Sequence, residues 1–243
     1  MPIKKTKYSR SIDDIELPLS SHLELVGCLE NGIYKGEMTD INGHAVLTTV
    51  IVKTLKDKHN KDQENRLRHE LDIMRKISLH NNIIQLIGCI FKSPSRSPNP
   101  SIIMEFAANG TIKDFLQNHP GMAITETVHG QISSICNPIY EDANAPTPEK
   151  LVDFIGQIAN GMKHLSDMNI IHRKLGARNV FLDNKMVCKI GSFSKAIWTK
   201  DFEIRDNKET YLPSRWMALE SLNNGTYSTK TDVWAFGVLM WEF

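Results

Sequence analysis

The stretch "HRKLGARNV", residues 172–180, joins two segments of this 243-residue chain whose secondary structure is easy to predict. Before it, "TPEKLVDFIGQIANGMKHL" predicts a long amphipathic helix. After it, "NVFLDN" and "VCKIG" predict a β-hairpin. The stretch is therefore a loop between a helix and a hairpin, and Lys174 lies in it.

The helix before this loop begins with clear start signals. Thr147 can cap it, Pro148 suits the first helical position and Glu149 lies in the first turn. Its apolar residues recur on one face: Leu151, Phe154, Ile155, Ile158, Met162 and Leu165. This spacing predicts that the face packs on the core.

The first half of the chain reads as strands with one helix. "LELVG", "GIYKGE" and "HAVLTTVIVK" predict antiparallel strands, and "NIIQLIGCIF" and "SIIMEF" predict two more, separated by a turn region at 93–101. Between these groups, "ENRLRHELDIMRKI" places Leu67, Leu71 and Met74 on one helical face. After Phe106 helices dominate, starting with "TIKDFLQNH". The chain is thus predicted to be α+β, with two lobes and a cleft near 105–109.

We divide the chain into a flexible tail at 1–20 and a domain at 21–243. The domain has a strand-rich lobe at 21–106 and a helical lobe at 107–243. The helical lobe contains a flexible insert at 119–146, rich in Pro, Ser, Asn and Gly. The last segment, "VWAFGVLMWEF", is apolar nearly all round, which predicts a buried helix.

Composition excludes several classes of protein. Hydrophobic residues make up 41% and charged residues 23%, as in ordinary soluble proteins, and a net charge of +1 gives no reason to expect a nucleic-acid partner. The 4 cysteines form no CxxC pair, which favours free thiols in a reducing compartment. No His/Cys cluster has metal-ligand spacing. No stretch approaches the roughly 18 apolar residues of a membrane span, and the start, which has basic residues but no apolar segment behind them, is not expected to be a signal peptide.

Several motifs together resemble the protein kinase family. "VIVK" at 50–53 is similar to its "VAIK" strand, and "RHELDIM" places Glu70 at its helix glutamate. "HRKLGARN" resembles the catalytic loop "HRDLxxxN", and "KIGSFSKA" resembles "KIxDFGxA". "PSRWMALE" and "TDVWAFGVLMWE" are similar to "PxRWMAPE" and "SDVWSFGVLLWE". The motifs follow the family's order over residues 23–243 and imply a bilobal protein-kinase-like fold.

Within this family, the sequence is most similar to the tyrosine-kinase branch. "ARN" in the catalytic loop and "RWM" further on are tyrosine-kinase forms. The insert at 119–146 resembles that of split receptor tyrosine kinases, such as fibroblast or vascular growth factor receptors.

The resemblance implies a set of catalytic positions. A strand lysine grips the phosphates and a helix glutamate holds it, and Lys53 and Glu70 match both. An ordinary surface ion pair is the alternative reading. Arg178 and Asn179 also match the catalytic loop. At the position of the catalytic base stands Lys174, whose ammonium accepts no proton near neutrality. Losing a general base typically costs about 10²–10⁴ in rate.

The resemblance also implies a metal site, and this site is altered. Ser192 stands at the family's metal-binding aspartate and Ser194 at the glycine of the same motif. Mg²⁺ is bound by carboxylate and phosphate oxygens, whereas a hydroxyl brings no charge. Asn179 matches the second metal position as a neutral ligand. We therefore expect that Asn179 and Ser192 do not bind Mg²⁺.

The implied nucleotide site is crowded. It would consist of Lys53, Glu70, Ile51, Met104, Glu105, Ala107 and Phe181. Ile51 replaces the alanine that touches adenine in the family, so its extra methyl groups would fill part of that space. The alternative is that Ile51 is an ordinary strand residue facing elsewhere.

The glycine loop that covers the phosphates in the family is eroded as well. Val26, Cys28 and Asn31 stand at its three glycine positions, unless a gap in the alignment recruits Gly27 and Gly32 into a shorter loop. We therefore expect either no cofactor or weakly bound ATP.

Residues that support the fold are retained. Met74, Leu86, His172 and Phe193 match the family's stack of apolar side chains, and Asp232 matches the buried aspartate that holds the catalytic-loop backbone. Such residues preserve an architecture whether or not phosphate is transferred.

The family domain continues for several helices beyond the residue matched by Phe243. Glu220 resembles a glutamate that pairs with an arginine in that later part, so we expect it to be a buried carboxylate without its partner, at a cost of several kcal/mol. The helix at 233–243 would lose covering surface. We expect a truncated product or a chain of low stability, which a clean two-state urea melt would contradict.

These observations predict a catalytically impaired tyrosine-kinase-like domain, a pseudokinase that regulates signalling through protein partners, such as an active kinase. One alternative is an active ATP-dependent tyrosine kinase in which Lys174 supplies charge in place of metal. Another is a nonfunctional truncated product.

Tyr140, if phosphorylated, would dock an SH2-type pocket, and otherwise it is an ordinary tyrosine in the insert. Tyr211 is the single tyrosine of the segment 193–219. The expected location is the cytoplasm, or the cytoplasmic part of a membrane receptor.

Overall fold

The computed structural model describes residues 23–30, 32–39, 47–57, 60–91, 100–119, 126–128, 131–133, 146–201, 203–205 and 212–243. The first part of the chain forms a five-stranded antiparallel sheet in the order β1-β2-β3-β5-β4. Its strands are β1 Leu23–Glu30, β2 Ile33–Met38, β3 Thr48–Thr54, β4 Leu86–Ile90 and β5 Ser101–Glu105. The five strands predicted from the sequence are therefore confirmed.

The two faces of the sheet pack differently. Val50, Val52 and Ile103 form a small core on one face. Because side chains alternate along a strand, Ile51 and Lys53 lie on the other face, together with Ile102 of the main core. The alternation of β3 thus puts Lys53 toward the rest of the molecule.

Helix α1, Lys61–Met74, packs against this second face. Asn60 caps it by accepting a hydrogen bond from the backbone N–H of Gln63. Leu67, Leu71 and Met74 are buried as the spacing predicted. The buried face of α1 also carries one charged residue, a glutamate that belongs to the site described below.

The second part of the chain is mainly helical. Its helices are α2 Ile112–Asn118, α3 Pro148–Asp167, α4 Leu219–Asn224 and α5 Thr229–Glu242. Helix α3 begins as predicted, since Thr147 accepts a hydrogen bond from the backbone N–H of Lys150 and Pro148 is the first helical residue. Phe154, Ile158 and other residues of its apolar face lie in the main core.

Pairs of short strands connect these helices. They are β6 Glu126–Val128 with β7 Gln131–Ser133, β8 Ile170–Ile171 with β11 Ile197–Trp198, β9 Val180–Leu182 with β10 Cys188–Ile190, and β12 Glu203–Arg205 with β13 Thr226–Ser228. The predicted hairpin after the loop at 172–180 is therefore confirmed as β9 and β10. Strands β6 and β7 fall within 119–146, and most of that region, Tyr140 included, lies outside the described residues. The flexibility of the tail and insert stays a prediction.

Helix α5 corrects one expectation. Its sequence predicted complete burial, and Ala235 and Leu239 are indeed buried. On the other side, however, Trp234 is 53% exposed and Trp241 is 87% exposed. In the described part of the chain, α5 packs through one side alone, so the prediction of complete burial was wrong, while the expectation of uncovered apolar surface on this helix is confirmed.

Glu220 corrects a second expectation. It lies in the first turn of α4 and is exposed, so it is not a buried carboxylate. Water screens its charge, and the predicted penalty of several kcal/mol does not arise. The helix is stabilised instead by its last turn, where Gly225 adopts the left-handed conformation that ends many helices.

Candidate active site

The Lys53 and Glu70 side chains meet between the sheet and α1. The Lys53 Nζ lies 2.5 Å from the Glu70 Oε2, with Glu70 buried and Lys53 partly open to solvent. A buried carboxylate is stable when a cation satisfies it, so this pair ties the position of α1 to β3. The predicted pairing is geometrically present, and it is more buried than an ordinary surface ion pair.

The loop at 172–180 is held from below by Asp232 of α5. Its carboxylate accepts hydrogen bonds from the backbone N–H groups of His172 at 2.7 Å and Arg173 at 2.9 Å. Arg173 has a φ of 64°, which costs energy in a residue with a side chain. Burial raises the pKa of Asp232 to about 6, while the two backbone N–H groups oppose that shift. Asp232 therefore holds the backbone of the loop, as the resemblance implied, and the turn that it holds is strained.

His172 lies at the centre of this packing. Its Nδ1 accepts a hydrogen bond from the backbone N–H of Lys174 at 3.2 Å, and its Nε2 donates to the carbonyl of Gly191 at 2.9 Å. Burial lowers the pKa of His172 to about 4, so the ring is neutral at pH 7. The ring meets Phe193 edge to face at 5.4 Å between centroids. Met74 and Leu86 belong to the same core as Phe193.

Lys174 is half-buried, and both its backbone N–H and its backbone carbonyl make hydrogen bonds. Its carbonyl accepts a hydrogen bond of 2.6 Å from the Nδ2 of Asn179, and its N–H binds His172. Its pKa is lowered, first by burial and then by the charges of Lys53 and Arg178, with a further contribution from Lys195. Glu70 opposes the shift. The ammonium therefore lies in a cationic environment.

Asn179 and Ser192 lie on adjacent segments. Asn179 is buried in a short 3₁₀ turn, and its carbonyl accepts a hydrogen bond from the backbone N–H of Gly191 at 3.0 Å. Ser192 follows that glycine with a φ of 66° and a ψ of 57°, a left-handed conformation. The two predicted metal positions are thus close in the fold, because Asn179 makes this hydrogen bond and Ser192 follows Gly191 directly. Across the described ranges, no group of three or more His, Cys, Asp or Glu side chains is arranged to hold a metal ion.

Ile51 faces the cleft side of the sheet. It lies directly opposite Met104 in the β3–β5 ladder, on the face that carries Lys53. This settles the direction of Ile51, because the alternative of a residue facing elsewhere does not hold. Phe181 lies in β9, where it packs so closely against Gly191 that a Cβ there would approach a ring carbon to 2.9 Å.

Glu105, the last residue of β5, and Ala107 lie where the two parts of the chain join. Glu105 pairs with Lys189 of β10 at 2.7 Å, and its carboxylate also accepts a hydrogen bond from the backbone N–H of Gln85. Ala107 is half-buried and packs against the main core. The Glu105 side chain therefore connects the two lobes.

The connection between β1 and β2 is short. The register pairs Glu30 with Ile33, so just residues 31 and 32 join the strands. Gly32 has a φ of 88°, and a Cβ there would meet the carbonyl oxygen of Thr54 at 3.0 Å. Val26 and Cys28 are exposed on β1, and Asn31 lies outside the described residues.

Two residues near the loop were missed by the sequence reasoning. Glu242, at the end of α5, accepts hydrogen bonds from the backbone N–H of Ala177 at 2.8 Å and from the Trp216 indole at 2.9 Å. Arg178 stacks on the same Trp216 ring at 4.4 Å. Lys195, three residues after Ser192, acts on Lys174. A lone carboxylate at the end of an apolar helix was the available signal for Glu242.

Comparison with known proteins decides the family. A family profile described as protein tyrosine and serine/threonine kinase matches residues 24–243. The chain belongs to the protein kinase family. Its α+β arrangement is the bilobal kinase fold, and the predicted resemblance is confirmed.

The kinase relatives are receptor tyrosine kinases. The chain is 35% identical over 214 residues to the tyrosine kinase receptor Cad96Ca of Drosophila melanogaster, covering 86% of this chain and 25% of the receptor. It is 37% identical over 246 residues to fibroblast growth factor receptor homolog 1 of the same species, covering 99% and 32%. It is also 33% identical over 204 residues to the angiopoietin-1 receptor of Danio rerio, covering 79% and 16%.

This kinase chain thus spans between 16% and 32% of the length of these relatives. Within the ranges that the structure describes, the kinase fold has no helix long and apolar enough to cross a membrane.

Proposed function

We propose that this kinase domain transfers no phosphate and acts by binding other proteins, an active kinase among them. The observation that carries the proposal is Lys174, a cation at the position of the catalytic base, on a loop that Asp232 still holds in place. The loop that carries position 174 is held in place, but a protonated lysine side chain cannot accept a proton.

The first argument concerns the base. A general base needs an acceptor for the substrate hydroxyl proton within hydrogen-bond reach. A protonated lysine has three donors and no acceptor. The loss of base assistance alone lowers the rate by about 10²–10⁴, and the altered metal position acts in the same direction.

The second argument concerns Mg²⁺, which phosphoryl transfer in this family requires. The Nδ2 of Asn179 already donates to the Lys174 carbonyl, which leaves one neutral amide oxygen for a metal. The Ser192 hydroxyl is also neutral. Such a donor set does not fit a small, hard dication, which prefers carboxylates and phosphates.

The third argument concerns the nucleotide. Ile51 occupies the cleft face opposite Met104, and Val26, Cys28 and Asn31 stand where the family motif has glycines. Each bulky side chain removes space that an adenine ring would use. We therefore propose that ATP binds weakly or not at all.

A role in protein recognition agrees with what is retained. The Lys53–Glu70 pair and the His172–Phe193 contact preserve the architecture that partner proteins would recognise. Phosphorylated Tyr140 would add an SH2-type docking point. Because the relatives are receptors, we place the domain in the cytoplasm, as part of a membrane receptor or alone.

One observation favours a second candidate, an active kinase with displaced groups. The Lys174 ammonium stands at the position of the catalytic base and would supply positive charge in place of the metal. Combined with the intact Lys53–Glu70 pair, this leaves a route to slow phosphoryl transfer without an aspartate.

A phosphorylation assay of the whole chain separates the two candidates. With Mg-ATP and a tyrosine peptide, we expect the wild type to show no more phosphorylation than Lys53→Met. The double substitution Lys174→Asp with Ser192→Asp should raise the rate above the wild type, by up to about 10²–10⁴ if binding permits. Lys163→Met, an exposed substitution on α3, is the matched control. Turnover by the wild type that Lys53→Met abolishes would refute the inactive-kinase proposal.

A further inference from the structure

Residues 75–85, which we call the connecting segment, join α1 to β4 and lie against the end of α3. The Oγ of Ser78 lies 3.0 Å from the Nε2 of His164 and donates to the Sδ of Met168 at 3.4 Å. The backbone N–H of Ser78 donates to the same sulfur at 3.3 Å. Because the connecting segment follows α1 directly, these contacts hold the end of α1 against the helical lobe.

Two histidine rings stack where the connecting segment meets α3. The ring centroids of His80 and His164 are 4.6 Å apart, and the ring planes make an angle of 24°. The His80 Nδ1 accepts a hydrogen bond from the backbone N–H of Asn82 at 3.1 Å, so the neutral ring carries its proton on Nε2. Ser78 donates to Met168 and therefore accepts from the Nε2–H of His164. In both rings, Nδ1 is thus the nitrogen that takes up a further proton.

Protonation is unfavourable in this arrangement. A proton on the His80 Nδ1 removes the acceptor of the Asn82 N–H. Protonation of both His80 and His164 places two positive charges face to face. The pKa of His80 is lowered, first by burial and then by the charges of His164 and Lys189. The folded structure therefore favours the neutral form of His80.

The other charged groups beside His80 do not offset this effect. Arg75, Glu105 and Lys189 line the cavity that includes His80. The Glu105 carboxylate is paired with Lys189 at 2.7 Å, and Arg75 is paired with Asp72 at 3.4 Å. Among the residues that the structure describes, no carboxylate forms an ion pair with either stacked histidine. Acid therefore adds positive charge to a contact that has no carboxylate to balance it.

We propose that the stacked rings of His80 and His164 form a pH-sensitive contact, which holds α1 against the helical lobe at neutral pH and loosens in acid. The inference goes beyond the proposed function, since it requires neither nucleotide binding nor phosphate transfer. The contact opens in acid because the open form takes up protons that the stacked form disfavours. Opening frees the end of α1, the helix that carries Glu70 of the pair with Lys53.

Hydrogen–deuterium exchange of the whole chain at pH 7.5 and pH 5.5, corrected for the chemical exchange rate, tests this contact. Opening of residues 75–85 should become about three- to tenfold more frequent at the lower pH, because uptake of one proton changes an equilibrium by at most about tenfold per pH unit. Residues 172–180 are the internal reference. His172 and Asp232 also titrate there, but their effects oppose each other, so this reference should change less.

Substitutions separate the effect of charge from that of packing. His164→Phe keeps an aromatic ring against His80 but loses the hydrogen bond to Ser78, so opening should increase at both pH values while its pH dependence becomes smaller. His80→Phe combined with His164→Phe removes both titrating rings and should abolish the pH dependence of residues 75–85. His119→Phe is the matched control, because it changes a ring-stacked histidine at the end of α2 and should leave that dependence unchanged.

NMR titration of the histidine rings gives a second readout. Since His164→Phe removes a neighbouring charge, it should raise the pKa of His80 toward its ordinary value. An unchanged pH dependence of exchange in the double variant, or an unchanged titration of His80 in His164→Phe, would overturn the inference. If melting shows that the variants are unfolded, the wild type decides, and equal changes of opening in residues 75–85 and 172–180 would overturn it.

Discussion

The supporting framework of the cleft and its reaction centre show opposite kinds of change. The framework consists of the Lys53–Glu70 pair and Asp232 under the loop, and its contacts are complete. The reaction centre consists of Lys174 and Ser192, which stand where the family motifs have aspartates. Lys174 lies on the loop that Asp232 holds, yet the contacts of Asp232 remain in place although residue 174 is not an aspartate.

The hydrogen bonds of position 174 explain this independence. Its backbone N–H binds His172 and its carbonyl accepts from Asn179, so the fold uses the main chain at this position. Any residue except proline keeps the backbone groups that make those two hydrogen bonds. Asp232 differs, because its carboxylate itself makes the contacts. A residue that supports the fold through its side chain is therefore more constrained than one that supports it through its backbone.

The largest predicted effect is on Asp232. Asp232→Ala leaves two buried N–H groups without an acceptor, and we expect it to lower the free energy of unfolding by about 3–5 kcal/mol. Urea denaturation measures this loss. Asp167→Asn, an exposed change on α3, should cost less than about 0.5 kcal/mol. A loss of less than 1 kcal/mol in Asp232→Ala would mean that the loop does not depend on this carboxylate.

The two sides of α5 allow a comparison of a buried and an exposed residue within one helix. Leu239 is completely buried, and Leu239→Ala should cost about 2–5 kcal/mol through the cavity that it leaves. Trp241 is 87% exposed, and Trp241→Ala should change the free energy of unfolding by less than about 0.5 kcal/mol. Urea melts of both variants test the pair. A large loss in Trp241→Ala would show that another surface covers this side in solution.

Two neighbouring groups should oppose each other as the pH changes. The folded-state pKa of His172 is lowered to about 4, so the folded protein binds fewer protons there and this contribution to stability rises with pH up to its ordinary pKa of 6.5. The pKa of Asp232 is raised to about 6, so the folded protein binds more protons there and this contribution falls as the pH rises from about 4 to 6. In the wild type the two slopes nearly cancel.

Single substitutions should expose each slope. When the pH rises from about 5 to 6.5, the free energy of unfolding of Asp232→Asn should increase by about 1–2 kcal/mol more than that of the wild type. His172→Gln should show the opposite change of about the same size. Urea melts at both pH values measure the difference, and Asp167→Asn should follow the wild type. Parallel curves for all variants would contradict the assignment.

Much of the fold was predictable because its signals are local. The alternation of β3 and the spacing of α1 place Lys53 and Glu70 on facing surfaces, and the start signals of α3 lie within a few residues. The cationic environment of Lys174 was not predictable, since its cations come from separate segments that meet after folding. Burial of α5 was also misjudged, because periodicity describes a helix and not what covers it.

The smallest predicted stability effect within the cleft belongs to Lys174→Asp, and it tests the comparison most directly. Both backbone hydrogen bonds of the position remain, so the loop should keep its structure. The new carboxylate would lie near Lys53, Arg178 and Lys195 and relieve their repulsion. We expect a gain in the free energy of unfolding of up to about 1 kcal/mol, and a smaller gain at high salt. Lys163→Asp is the control, since it places two carboxylates together on α3 and should destabilise slightly. A large loss in Lys174→Asp would show that the lysine side chain has become part of the framework.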